Sequence, residues 1–414
     1  MFHDGHQVEL LRGGAEYFPA LVDAVDAAER EVWLETYIFE NDAAGQQVAA
    51  ALARAAARGV QVRLVTDGFG TGALAPELCA VLDSAGVARA TYSPVRGLLS
   101  MTGRKLRRLH RKLAMVDGHT AFCGGINVLD DHWDPNHGAL ARPRLDFALR
   151  VRGPIVAQVR DAMARMWLRV DAFTLLRDRQ FQAALSAARG ATGRLQAWAR
   201  GDGRVAREQS PWEQPTRPDG DLRALRAALL LRDNLRNRRR IEGAYLRAIA
   251  AARREVLIAN AYFLPGRRLR RALQAAARRG VRVTLLLQGR YEYFMQYYAS
   301  RAIHGFLLSQ DIAVYEYTAS FLHAKVAVID GRWSTVGSSN LDPLSLLLAH
   351  EANVAIDSAR FASELRAALL QAIDEGARRL DMQAFGRRSL ASRMLNWVGY
   401  SLFRLGVAFT GRRY

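Results

Sequence analysis

Two histidine–lysine pairs are the residues of this sequence whose types and spacing could do chemistry. His110 and Lys112 are two positions apart, so in a β-strand both side chains lie on one face. His323 and Lys325 repeat this arrangement in the second half of the chain. An asparagine follows each histidine at the same interval, which is typical of a duplicated unit. We therefore expect the two copies to meet in one site.

The chemistry that two such motifs can do together is phosphoryl-group transfer. One imidazole can attack phosphorus to form a phosphohistidine, while the other protonates the departing alkoxide and then deprotonates an incoming alcohol. Ammonium and carboxamide groups donate hydrogen bonds to the non-bridging phosphate oxygens. The sequence shows no cluster of metal-binding carboxylates, so we expect neither a metal nor another cofactor. Besides the lysines, the expected phosphate-binding residues are Asn127, Asn340 and Ser338.

Each histidine needs a partner that holds it in one tautomer, usually a carboxylate on its other nitrogen. Asp146 and Glu351 lie downstream of the two asparagines on predicted strands. We expect Asp146 to orient His110 and Glu351 to orient His323. The aspartates of the two motifs are interpreted as closing the turn after the motif strand. The full candidate catalytic set is His110, Lys112, Asp117, His323, Lys325 and Asp330.

The two motif lysines stand in a chain that otherwise uses arginine. Of 59 basic residues only Lys105, Lys112 and Lys325 are lysine. A guanidinium is broad and planar, whereas an ammonium is a compact point charge. Two of the three lysines fall in the motifs, which indicates that both sites require a compact cation.

The elements around the motifs indicate a duplicated α/β fold. Helices alternate with apolar strands in both halves, which is typical of domains with a mixed, mostly parallel sheet flanked by helices. We predict that two such domains pack about a pseudo-twofold axis with one shared active site. The predicted elements are a helix over 17–29, a strand over 31–39, a helix over 44–58 and a strand over 60–67, then a strand within 252–263, a helix over 269–279 and a strand over 281–288.

Composition shifts divide the chain into four parts. Residues 1–198 form the first predicted domain and 223–385 the second. Residues 199–222 are rich in Gly, Pro and charge and are interpreted as a linker or surface loop. Residues 386–414 form a tail in which apolar side chains surround a narrow polar stripe. We favour an amphipathic helix at a membrane interface for this tail, with docking onto its own domain as the alternative.

Charge and hydrophobicity bound the partners of the protein. The formal charge of +19 implies attraction to polyanions, either an anionic phospholipid membrane or nucleic acid. The sequence has no run of about 18 apolar residues and no signal-peptide pattern. Its two cysteines are interpreted as free thiols, which suits a reducing compartment. We expect a peripheral protein on the cytoplasmic face of the cell inner membrane, with its oligomeric state open.

The two motifs resemble the signature of the phospholipase D superfamily, His-x-Lys-x4-Asp twice with a downstream Gly-Gly/Ser-x-Asn. Segments 34–39, 259–263 and 336–345 are similar to bacterial cardiolipin synthases, and most to their B type. The resemblance covers residues 7–385 and implies two phospholipase D-like domains. It also implies that a phosphatidyl group passes from phosphatidylglycerol to a histidine and then to a second phosphatidylglycerol, with release of glycerol. In this superfamily the first-motif histidine is usually the nucleophile, which assigns that role to His110 and the acid/base role to His323.

Three other functions remain open from the sequence. The charge permits a nucleic-acid phosphodiesterase of the same superfamily, although the tail and the segment Asn-Leu-Asp-Pro-Leu-Ser favour lipid, so no nucleic acid is expected. Hydrolysis to phosphatidic acid would use the same phosphohistidine, and the sequence does not divide it from transfer. A membrane-binding protein without activity is disfavoured because both motifs are intact.

Overall fold

The computed structural model describes residues 2–94, 107–177, 225–233, 237–342, 349–383 and 390–409. The predicted linker over 199–222 lies outside the described residues. So does the end of the segment 336–345.

Both halves are built from strands and helices in a similar order. The first half contains β1 (His3–Arg12), α1 (Gly13–Asp26), β2 (Glu31–Thr36), α2 (Ala43–Ala57), β3 (Gln61–Asp67), α3 (Pro76–Ser84), β4 (Ala88–Tyr92), β5 (Arg108–Leu109), β6 (Lys112–Val116), β7 (Thr120–Gly124), β8 (Trp133–Asp134), β9 (Gly138–Ala139), β10 (Phe147–Arg152) and α4 (Ile155–Arg177). The second half contains β11 (Leu225–Arg232), α5 (Arg240–Ala251), β12 (Glu255–Asn260), α6 (Arg267–Arg278), β13 (Arg282–Gln288), α7 (Phe294–Ala302), α8 (His304–Leu308), β14 (Ala313–Tyr317), β15 (Lys325–Ile329), β16 (Trp333–Gly337), β17 (Ala349–Asp357), α9 (Ala359–Gly376), β18 (Ala377–Arg379) and α10 (Leu390–Phe409).

One sheet of 16 strands runs through both halves of the described chain. Its order is β18-β14-β13-β12-β15-β16-β17-β11-β1-β10-β7-β6-β2-β3-β4, with β5 added beside β17. Apart from β18 and β5, this order reads the same from either end when equivalent strands of the two halves are matched. The pseudo-twofold axis therefore passes between β1 and β11, where the halves join. The predicted duplicated α/β fold is confirmed.

The sheet is mixed, and its two kinds of pairing occupy different places. Parallel pairs join β2, β3 and β4 in the first half and β12, β13 and β14 in the second. The strands that carry the motifs, β6 and β15, pair only with antiparallel neighbours. Both motifs thus lie on strands near the middle of their half, where backbone hydrogen bonds on both sides fix their position.

The strands of the sheet are buried on both faces. Along β6, Leu113 and Met115 belong to a core cluster shared by both halves, which includes residues of α4 and α9. Their neighbours Ala114 and Val116 point to a separate first-half cluster beneath α1 and α2. This alternation follows from the two-residue period of a strand. The shared cluster ties the two halves together behind the sheet.

The tail forms α10, which docks against α7 of the second half. Phe403 and Asn396 are only 3% and 6% exposed. A Cβ on Gly399 would lie 2.7 Å from Cβ of Tyr298, so the two helices cross closely. Asn396 is one of the polar residues of this tail, and it faces the protein rather than water. The alternative of docking onto its own domain therefore holds for this face, while Trp397 on another face is 68% exposed.

Candidate active site

Both motif histidines lie just before a central strand and are anchored to the opposite half. The backbone N–H of His110 donates to the carbonyl of His350 at 3.0 Å. The N–H of His323 donates to the carbonyl of Leu145 at 2.9 Å. These contacts continue the pairing of β5 with β17 and the bridge between Leu145 and Leu322. The chain thereby brings the two motifs to the junction of the halves.

The carboxylate partners of the histidines are exchanged between the halves. Nδ1 of His110 lies 3.1 Å from Oε1 of Glu351, and Nδ1 of His323 lies 2.7 Å from Oδ2 of Asp146. The expected pairing of each histidine with a carboxylate of its own half was therefore wrong. The reason is the crossed backbone anchoring, because each histidine is bonded to the residue that directly precedes the other half's carboxylate. With Nδ1 engaged, Nε2 of each ring is left for chemistry.

The two lysines are buried beside the histidines. Lys112 is 3% exposed and donates from Nζ to the carbonyl of His110 at 2.6 Å, and Lys325, fully buried, bonds to the carbonyl of His323 in the same way. Burial lowers the pKa of Lys112 to about 7 and that of Lys325 to about 8. Such a pair of poorly solvated cations would be stabilised by a bound anion. Nζ of Lys112 also lies 5.2 Å from the ring centre of Tyr37.

The two asparagines occupy equivalent places. Oδ1 of Asn127 accepts from the N–H of Ile38 at 3.2 Å, and Oδ1 of Asn340 accepts from the N–H of Tyr262 at 3.4 Å. Each oxygen is thus used on the strand-end loop of its own half. The amide NH₂ groups remain as donors, which is the group a phosphate oxygen requires.

Ser338 differs from its expected use as a phosphate ligand. The residue is fully buried, its hydroxyl donates to Oε2 of Glu351 at 2.5 Å, and it accepts from the N–H of Ala352 at 3.1 Å. The hydroxyl therefore holds the carboxylate that in turn holds His110. The equivalent position in the first half is Gly125, where a Cβ would lie 2.2 Å from Oδ1 of Asp146. This glycine makes room for the carboxylate that holds the other histidine.

The motif aspartates brace turns at the opposite end of the motif strands. Asp117 and Asp330 both have a positive φ, 52° and 53°. The Asp117 carboxylate accepts from three successive backbone N–H groups at residues 29–31, and Asp330 does the same at 253–255. Asp117 lies five positions after Lys112, a distance of roughly 16 Å along a strand. Their interpretation as turn-closing residues fits this geometry, and a catalytic role does not.

The site concentrates positive charge in a buried setting. Burial lowers the pKa of His323 well below its ordinary value, and Lys325, Lys112, Arg144 and His110 add to the effect. Burial also lowers the pKa of His110, with Glu351 opposing it. Charged groups from both halves thus shift the pKa of each histidine. A phosphodiester anion bound among them would favour the protonated ring that acid catalysis needs.

Sequence reasoning missed three residues around the histidines. The ring of Tyr37 lies 4.8 Å from the ring of His110. In the second half, Tyr262 matches Ile38, the residue after Tyr37, and its hydroxyl donates to Oε2 of Glu292 at 2.7 Å. The two tyrosines do not occupy matching positions of the repeats, because Tyr37 aligns with Ala261, so a comparison of the repeats gave no signal for them. Glu292 was hidden in an aromatic stretch and has no acidic counterpart in the first half.

The described residues contain no group of three or more His, Cys, Asp or Glu side chains placed to hold a metal ion. What they do hold is a pair of carboxylate-bound imidazoles, two buried ammoniums and two amide donors. This set can bind one phosphodiester, supply a nitrogen nucleophile and move a proton at the opposite oxygen.

Known proteins are similar to this chain in sequence. A family profile described as "Cardiolipin synthase, PLD-like domain" matches residues 21–167 and 245–373. Cardiolipin synthase B of Escherichia coli (strain K12) is 37% identical over 365 residues, which is 88% of this chain and 80% of that protein. Cardiolipin synthase B of Salmonella typhi is 36% identical over 388 residues, covering 94% of this chain and 85% of its own length.

A solved structure also shares the whole fold. Phosphatidylserine synthase of Haemophilus influenzae Rd KW20 superposes with a TM-score of 0.65, covering 98% of this chain and 96% of its own. Its sequence identity is 14%, so this likeness concerns the fold alone.

Proposed function

Because the chain belongs to the cardiolipin synthase family of phospholipase D-like phosphatidyltransferases, we propose that it joins two phosphatidylglycerol molecules into cardiolipin and releases glycerol. Membership confirms the resemblance predicted from the two motifs, and it makes phospholipids the substrate class. The donor, the acceptor and the role of each residue are the proposal. The observation that carries it is the crossed pair of carboxylate-bound histidines at the junction of the halves.

In the first step, Nε2 of His110 attacks the phosphorus of the donor lipid. The N–P bond forms as the bond to the glycerol oxygen breaks, and His323 gives its proton to that oxygen. Glu351 supports this role because it fixes the proton of His110 on Nδ1 and stabilises the ring as it gains positive charge. Lys112 and Lys325 neutralise the phosphate oxygens, and burial strengthens that effect.

In the second step, the hydroxyl of the acceptor lipid gives its proton to His323 and attacks phosphorus. The new P–O bond forms as the bond to Nε2 of His110 breaks, which restores both histidines. Asp146 supports the role of His323 because a carboxylate on Nδ1 stabilises the imidazolium form that exists before the first step and again after the second. Water could enter instead of the alcohol, so phosphatidic acid is the expected side product.

The membrane is the proposed partner of an exposed apolar surface formed by α7 and α10. Exposed side chains on it include Phe294, Met394, Trp397, Leu402 and Leu405. Aromatic and aliphatic groups on a helix of a strongly basic protein are typical of attachment to an anionic bilayer interface. In the described parts of the chain, no helix is both long and apolar enough to cross a membrane.

The proposed attachment places the site close to its lipids. The loop from Gln288 to Tyr293 leads from the strand beside the site directly into α7. Oε1 of Gln288 accepts from the N–H of Leu322, next to His323, while Tyr293 at the other end is 46% exposed. We extend the proposal to a peripheral location on the cytoplasmic face of the cell inner membrane, which the net charge favours.

The test is product analysis by mass spectrometry on phosphatidylglycerol vesicles, with and without phosphatidylethanolamine. Cardiolipin should form with one glycerol released per molecule. Phosphatidic acid as the dominant product would instead assign hydrolysis, and cleavage of single-stranded DNA at a comparable rate would assign a nucleic-acid phosphodiesterase.

Two variants test the mechanism in the same assay. His110→Ala and His323→Ala should each abolish turnover, because one removes the nucleophile and the other the proton carrier. Wild-type protein quenched with denaturant at alkaline pH, where the P–N bond survives, should carry a phosphatidyl group on His110. A phosphatidyl group on His323 would exchange the two roles, and substantial turnover in either variant would contradict the two-histidine mechanism.

A further inference from the structure

Glu292 carries an acidic group near the site that the mechanism above does not use. It lies in the loop between β13 and α7, and its Oε2 accepts from the hydroxyl of Tyr262 at 2.7 Å. The backbone of Tyr262 is in turn bonded to Asn340. Two hydrogen bonds, through Tyr262, thus connect Glu292 to Asn340, the asparagine of the second motif.

Glu292 is also electrostatically coupled to the site. Burial lowers the pKa of Lys325, and the Glu292 carboxylate is among the groups that oppose this. The side chain is partly exposed, so a ligand can reach it. Within the described residues its Oε1 makes no hydrogen bond. One carboxylate oxygen is therefore fixed while the other can accept a hydrogen bond from a ligand.

The pseudo-twofold symmetry of the site is broken at this position. Glu292 follows the end of β13 by four residues. The residue four past the end of β3 is Thr71, whose hydroxyl donates to the carbonyl of Tyr37 at 3.0 Å and accepts from the N–H of Phe39 at 3.1 Å. The first half thus closes its loop with a neutral residue bonded to backbone. At this loop position only the side of His323 carries a carboxylate, whereas in the first half a buried carboxylate beside His110 belongs to Asp67, at the end of β3.

We propose that Glu292, positioned by Tyr262, binds the free hydroxyls of the glyceryl group that His323 protonates or deprotonates. This inference rests on the proposed function and names the subsite of its acceptor. A carboxylate oxygen accepts a hydrogen bond from a free hydroxyl, and both leaving glycerol and the glyceryl headgroup of phosphatidylglycerol carry one beside the reacting oxygen. Leaving glycerol and incoming phosphatidylglycerol meet phosphorus at the same histidine, so one subsite serves both steps.

The experiment separates acceptor choice from the chemistry of the donor. Full-length protein is given a short-chain phosphatidyl ester of p-nitrophenol, whose leaving group has no free hydroxyls, with glycerol and 1-propanol in competition. Nitrophenol release reports total turnover, and mass spectrometry reports the ratio of phosphatidylglycerol to phosphatidylpropanol. The wild type should favour glycerol. Glu292→Gln should lower this ratio at least tenfold while nitrophenol release stays within threefold.

Two further variants complete the test. Tyr262→Phe keeps the carboxylate and removes its hydroxyl partner, so the ratio should fall by about two- to fivefold. Glu375→Gln, the same change on the exposed surface of α9, should leave the ratio unaltered. Melting temperatures within two degrees of the wild type would exclude a folding defect in Glu292→Gln, and if that variant unfolds, Tyr262→Phe decides.

The outcomes distinguish this inference from the proposed function. An unchanged ratio in both Glu292→Gln and Tyr262→Phe, or a wild type without preference for glycerol, overturns the subsite. A loss of nitrophenol release as large as the loss of ratio overturns it too, because Glu292 would then serve the chemistry itself. A wild type that prefers glycerol but makes no cardiolipin from vesicles refutes only the proposed function.

Discussion

Replacing Asp146 by Asn tests the crossed arrangement of the site. The carboxylate is 2% exposed and bonds to Nδ1 of His323 at 2.7 Å. Asparagine has nearly the same shape and still fits beside Gly125, so packing is preserved while the negative charge is lost. Because His323 must carry a proton in the first step, the variant should lower its pKa and weaken its action as an acid.

The size of the effect follows from the bond that is lost. A hydrogen bond to a charged partner contributes about 1.5–3 kcal/mol. At about 1.36 kcal/mol per factor of ten, this corresponds to roughly a 10- to 150-fold fall in kcat. The loss should grow as pH rises, since a lower pKa of His323 removes its proton at lower pH. The alkaline limb of the pH profile should therefore move toward acid.

The assay compares two donors. Phosphatidylglycerol releases a basic alkoxide that needs a proton, whereas a p-nitrophenyl ester releases a stable phenolate that does not. Asp146→Asn should slow the first donor by the full factor and formation of the phosphohistidine from the second by less than threefold. Glu351→Gln is the matched control, because it acts on the nucleophile His110 and should slow both donors alike.

Equal losses on both donors in Asp146→Asn would refute the assignment of His323 as the acid. An alkaline limb that stays in place would refute the hydrogen bond as its cause. If Glu351→Gln alone showed the dependence on leaving group, the roles of the two histidines would have to be exchanged.

The remaining predictions concern the buried lysines and the apolar surface. Lys112→Arg should lower kcat at least 100-fold although the charge is kept, because no room exists for a guanidinium at a 3% exposed position; rates near wild type would remove the argument for a compact ammonium. Sulfate should raise the melting temperature more at pH 6 than at pH 9, since the depressed lysine pKa values, about 7 and about 8, mean that anion binding takes up protons; an opposite trend would contradict this sign. Trp397→Asp should weaken binding to phosphatidylglycerol vesicles about tenfold and leave turnover of a soluble short-chain donor unchanged; equal losses in both would indicate a folding role.

The reactive groups could be predicted because they repeat. His110 and His323, with their lysines and asparagines, recur at equal intervals, and a strand places alternate residues on one face wherever it occurs. The same repeat predicted the sheet and the positions of the equivalent helices and strands in the two halves. Predictions of this kind depend only on local geometry, which the sequence states directly.

The partners of these groups depend on contacts between distant segments. The pairing of His110 with Glu351 follows from two residues of β5 aligning with β17, and nothing in the local spacing encodes that alignment. Asp146 was available to either histidine by sequence. The same limit explains why no strand was predicted over residues 3–12, since a short apolar run does not distinguish a central strand from a buried helix.

The direction of an amphipathic helix was also ambiguous. The tail was interpreted as an amphipathic helix at a membrane interface, but Asn396 packs inward against the second half. A helix with apolar groups over most of its circumference has more than one face that it can bury. Packing against α7 at Gly399 decides between them, and a contact of that kind depends on the shape of the neighbour.

The exchange of carboxylates means that neither of the two motifs can replace the other, because each histidine depends on the opposite half. Damage to the site residues of either half affects both histidines. It removes the histidine of that half and the carboxylate partner of the other histidine. Duplication usually allows one copy to change. Here each copy supplies the carboxylate that fixes the protonation of the other copy's histidine. The two halves must therefore be inherited, folded and kept intact together.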